Sequence, residues 1–109
     1  MAKYLIEASY SQAGLKALVK DGGTGRKKVV EAAAKALGGH VESFYFAFGT
    51  SDVYAILDAP DNVTAAAFAL AVGGTGIAAH LKTVVLITPE EVDQGAKKSA
   101  SAGYHAPGA

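Results

Sequence analysis

From Lys3 to Tyr10, KYLIEASY, the side chains alternate, with Leu5, Glu7 and Ser9 on one face and Tyr4, Ile6, Ala8 and Tyr10 on the other. A period of two is the signature of a strand. Ser11 then reads as a helix N-cap, and Leu15, Leu18 and Val19 follow at helical spacing until Gly22-Gly23 breaks the pattern. Thr24 can cap a second helical stretch to about Leu37, with Val29, Val30, Ala33, Ala34 and Leu37 as one apolar stripe, closed by Gly38-Gly39. Residues 40–48, HVESFYFAF, read as a strand with Phe44, Phe46 and Phe48 on one face and Val41, Tyr45 and Ala47 on the other. GTSD at 49–52 is a hairpin connection into a third strand, Val53 to Leu57. Asp61 or Asn62 can cap the next helix, whose Val63, Ala66, Ala67, Leu70 and Ala71 lie on one side. A last strand runs from His80 to Ile87, where Val85 and Ile87 oppose Val84 and Leu86. TPEE at 88–91 then combines a capping Thr88, a proline at the first helical position and Glu91 three residues after the cap.

The order β-α-β-β-α-β predicts an α+β fold of the ferredoxin-like kind, with an antiparallel sheet and a short C-terminal helix. Residues 1–94 form the expected domain, and 95–109, GAKKSASAGYHAPGA, an Ala/Gly/Ser-rich flexible tail without a periodic core face. The alternation that a half-exposed sheet should show is missing from the second and last strands, so something besides the helices must cover the second face. A second copy of the chain is one cover, giving a homodimer or higher homo-oligomer. The C-terminal helix and tail folding back is the other.

GGTG occurs twice, at Gly22–Gly25 and Gly73–Gly76, and neither copy has the spacing or the preceding strand of a phosphate-binding P-loop. Both read as helix punctuation. Lys plus Arg equals Asp plus Glu at 10 each, which removes the field expected of a nucleic-acid or membrane-surface binder. Arg26 is the one arginine, and with Lys27 and Lys28 it reads as a solvated helix start. With no cysteine and three scattered histidines, no metal site and no cofactor are expected, and the composition suits a reducing cytoplasm.

Four residues are candidates for ligand contact: His40, Tyr45, Asp52 and Tyr54. Asp52 at a tight hairpin has a structural duty, bonding nearby amides. It also has a functional reading as a proton acceptor at the rim of a cavity, close to Tyr45, Tyr54 and His40. Tyr10, Tyr45 and Tyr54 can line a pocket with hydroxyls at hand or pack an interface.

KYLIEASY, GLKALVKDGGTGRKKVVEAAAKALGGHVESFYFAFGTSDVYAILDAPDNVTAAAFALAV and TVVLITPEEVD together resemble the GYD-domain proteins, small bacterial proteins grouped with the dimeric α/β-barrel superfamily. The resemblance implies a barrel of two facing sheets. Gly49 and Asp52 match the family's glycine, tyrosine, aspartate signature, whereas Thr50 and Ser51 stand where its tyrosine would be. No activity comes with the resemblance. The expected function is a small cytoplasmic dimer that binds a small apolar or aromatic metabolite. The alternatives are a cofactor-independent oxygenase- or isomerase-like enzyme, and a structural protein that docks partners through its oligomer surface or tail.

Overall fold

The structure, a computed structural model, describes residues 1–108. Its elements are β1 (Ala2–Tyr10), α1 (Gln12–Ala36), β2 (His40–Phe46), β3 (Val53–Ala59), α2 (Asn62–Gly73), β4 (Ala78–Leu86) and α3 (Pro89–Ser99), followed by a 3-10 turn at Ala100–Ala102. The four strands form one antiparallel sheet in the order β2-β3-β1-β4. This is the α+β, ferredoxin-like arrangement that the order of elements predicts.

Alternation along β1 decides which face is buried. Tyr4 and Ile6 pack with Ala55, Leu57 and Ala59 of β3 against Ala34 of α1 and Ala65 and Phe68 of α2. Tyr4 and Leu57 are the largest fully buried side chains, and the Tyr4 hydroxyl donates to Asn62 Oδ1 at 2.6 Å, tying the sheet to the start of α2. A buried phenol that finds a partner keeps its apolar contribution without an orphaned hydroxyl.

Both GGTG copies act as punctuation. In the first, Gly22 has φ 76° and ψ 163°, which bends α1 into two helical pieces. No atom lies within 4 Å of where its Cβ would be, so backbone conformation rather than lack of space requires glycine there. The second copy ends α2, and Gly76 takes φ 77° on the way into β4.

Several details correct the pattern read from sequence. A register shift between Val41 and Ser43 turns Val41 onto the helix face with Phe44 and Phe46, rather than opposite them, because a bulge inserts an extra residue into the alternation. The strand ends at Phe46, and Phe48 lies in the hairpin with φ 58°, its ring stacked on Phe46 at 6.1 Å. On α2 the buried residues are Ala65 and Phe68, while Val63 and Leu70 are exposed. The helix NVTAAAFALAVG carries no charge, so hydrophobic periodicity has no polar face to measure against. The C-terminal helix continues past Gln94 to Ser99, so the segment expected to begin a flexible tail at 95 is helical at first. Its full capping box, Glu90 and Glu91 in the first turn and Lys97 and Lys98 in the last explain the extension, since each complements the helix dipole. α3 buries none of its residues and does not cover the sheet.

Candidate functional site

The face of the sheet turned away from α1 and α2 carries Leu5 and Glu7 of β1, Tyr54 and Ile56 of β3, and Val84 and Leu86 of β4, placed together by the cross-strand register. Tyr45 of β2 sits directly opposite Tyr54 and is 71% exposed. This surface is apolar at its centre.

One end of it is polar and ordered. Asp58, the last outward position of β3 and buried, accepts from Lys3 Nζ on Oδ1 at 3.0 Å and faces His40 Nε2 from Oδ2 at 2.9 Å. Glu42 Oε1 also meets Lys3 Nζ, at 3.1 Å. Hydrogen bonds to Asp58 first and to Glu42 second hold the Lys3 ammonium above its ordinary pKa. The register makes the cluster, since Asp58 pairs with Lys3 on one side and with His40 on the other. A carboxylate this close to an imidazole can hold the ring in place beside a bound molecule. His40 remains open to solvent, its side chain 60% exposed.

The four candidates therefore separate. Tyr45 and Tyr54 stand together near the β2–β3 hairpin. His40 is at the far end of that hairpin, paired with Asp58, on the order of 13–16 Å from the two tyrosines and about 20 Å from Asp52 at about 3.3 Å per residue. Asp52 is not its neighbour, because an antiparallel hairpin puts the turn and the strand ends at opposite edges. Asp52 instead organises the turn: its Oδ2 accepts from Tyr10 N at 2.9 Å, its own N donates to Ala8 O, and its carbonyl accepts from Ala47 N. Lys3 and Asp58 carry no signal of a site in the sequence reading, apart from a lone aspartate ending the apolar run VYAILDA that marks the second of them.

On the opposite side of the sheet, under the helices, lies an apolar cavity of about 50 Å³ lined by Ile6, Val30, Phe44, Phe68 and Leu81. Its polar wall is Tyr10 and Arg26. Arg26 is not part of a solvated helix start, since its side chain is only 16% exposed. The Gly22 bend aims the second piece of α1 across the sheet, and Arg26 and Val30, four residues apart, both reach the cavity. Burial pushes the Tyr10 phenol above its ordinary pKa, with the neighbouring Arg26 guanidinium opposing the shift and the Asp52 charge adding to it.

No group of three or more His, Cys, Asp or Glu side chains is arranged to hold a metal ion among the described residues, and no helix among them is long and apolar enough to cross a membrane. No curated protein matches the chain, and no solved structure does. The family model described as the GYD domain matches residues 4–96 of the 109, from the first strand into α3. The chain belongs to the GYD domain family.

Proposed function

We propose that the protein acts as a homodimer whose two sheets face one another and enclose a site for a small apolar or aromatic metabolite. The supporting observation is the outward sheet face, where Leu5, Tyr54, Ile56 and Leu86 form an apolar centre that no helix among the described residues covers. Contiguous apolar surface of this kind favours a partner, and a symmetric second copy presents the same patch in return. The Lys3–Asp58–His40 cluster supplies polar groups at one end, the usual composition of a small-molecule site.

Sedimentation velocity tests the dimer. The wild-type chain is expected to sediment as a dimer and the Ile56→Glu variant as a folded monomer, and a wild-type monomer would refute the reading. Native mass spectrometry of the purified dimer then reads any retained metabolite.

One observation favours a second, catalytic reading. An imidazole oriented by a buried carboxylate is the arrangement of a general base, and a cofactor-independent proton abstraction from a bound metabolite would use His40 Nδ1. Once a ligand is identified, turnover that survives in His40→Gln would remove that reading.

A further inference from the structure

We infer that the cavity between the sheet and the helices is a second, separate binding site, for a short aliphatic monocarboxylate whose chain lies among Ile6, Phe44, Phe68 and Leu81 and whose carboxylate meets Arg26 and Tyr10. Three features carry this. The cavity's walls are apolar apart from those two side chains, and such a space gives a water molecule too few partners while accepting hydrocarbon. At about 50 Å³ it has room for a few methylene groups and not for a ring system or a sugar.

The second feature is the guanidinium. Arg26 Nε is buried and has no hydrogen-bond partner among the described residues. The nearest acid, Asp21, stands off at 3.6 Å from Nη1, beyond good hydrogen-bond distance. A charged fork with an unused donor edge matches a planar carboxylate, which takes two parallel N–H bonds. A single guanidinium also matches a single negative charge better than a dianionic phosphate.

The third feature is placement. Tyr10 and Arg26 are neighbours in the cavity lining, and the rest of that lining is apolar, drawn from the sheet and both helices. A head group at the cation thus puts its chain in the apolar space. The Tyr10 phenol, kept neutral by burial, can donate a further hydrogen bond to the same carboxylate.

Isothermal titration of the full chain with butyrate, hexanoate and octanoate, and with 1-hexanol as the uncharged match, tests the inference. Saturable binding is expected for the acids, strongest where the chain fills the cavity, with hexanol at least tenfold weaker. Arg26→Met keeps the apolar stem and should lose at least tenfold in acid affinity while leaving hexanol unchanged. Arg26→Lys keeps the charge without the fork and should fall between them, which covers the case in which the methionine variant fails to fold. Ala8→Ile, filling the cavity from β1, should abolish binding of acids and alcohol alike. Absence of saturable acid binding, or equal affinity in wild type and the folded arginine variants, would overturn the inference. The Ile56→Glu monomer should bind hexanoate as wild type does, because the cavity is on the other side of the sheet. Loss of binding there would assign the acid to the outward face and overturn the separate site.

Discussion

Gly14 and Gly25 lie in the same helix, and the fold predicts that adding one methyl group to each has opposite effects. At Gly14 a Cβ would overlap the Ile77 carbonyl oxygen and sit 2.8 Å from Tyr10 Cδ1 and 3.1 Å from the Ile77 carbonyl carbon. Carbon atoms in contact prefer about 3.5–4.0 Å, so the ring contact is short by roughly 0.7 Å and the carbonyl carbon by roughly 0.4 Å, and the overlap with the carbonyl oxygen is the most severe of the three. The same carbonyl accepts from Ser11 N at 2.8 Å and Ser11 Oγ at 3.0 Å, so moving it away disturbs the N-cap of α1 as well. Overpacking costs about 1–3 kcal/mol. The two weakened hydrogen bonds add about 1 kcal/mol each at most. Alanine's helix propensity returns no more than about 1 kcal/mol. The balance for Gly14→Ala is a loss on the order of 3 kcal/mol, or roughly 12 °C in Tm at about 4 °C per kcal/mol for a chain of this size. At Gly25 a Cβ meets only Asp21 Cβ, at 3.4 Å, and the backbone is not left-handed. Gly25→Ala should therefore be neutral or stabilising by up to about 1 kcal/mol. Urea denaturation and thermal melts of the two variants beside wild type decide the matter. A Gly14→Ala chain as stable as wild type would show that α1 does not approach the β4 lead-in this closely, and the packing argument would fail.

Other outcomes follow from the caps and titrating groups. Hydrogen bonds from the Thr64 hydroxyl and backbone amide hold the Asp61 carboxyl below its ordinary value of 3.8, so its contribution is present above the unfolded pKa and lost as pH falls through the folded one. Asp61→Asn caps comparably and should leave stability at pH 7 unchanged while flattening the acid limb, as read by urea midpoints between pH 2 and 7. Tyr10, raised by burial, has the reverse sign: its contribution is full below the unfolded pKa and lost as pH rises through the folded one. Ultraviolet titration should find a late-ionising tyrosine component that Tyr10→Phe removes. Thr88→Ala breaks the capping box of a helix that buries none of its residues, so it should lower the helicity of residues 89–99 by NMR chemical shifts without moving the global Tm.

The sequence alone determined the element order, and with it the ferredoxin-like topology, because local signals carry that information. Alternation in KYLIEASY, the caps Ser11, Asp61 and Thr88, and the two glycine clusters are each readable within a few residues. Side-chain hydrogen bonds confirm all three caps. Tertiary structure decided everything that depends on pairing across the chain. Lys3, His40 and Asp58 meet only through strand register, which no local pattern reports. The bulge after Val41 changed which face its neighbours use, and an uncharged α2 gave periodicity nothing to choose between. Arg26 looked like one charge in a basic run. The bend at Gly22 carries it over an apolar cavity, and burial is a property of the folded surroundings rather than of the residues beside it in sequence.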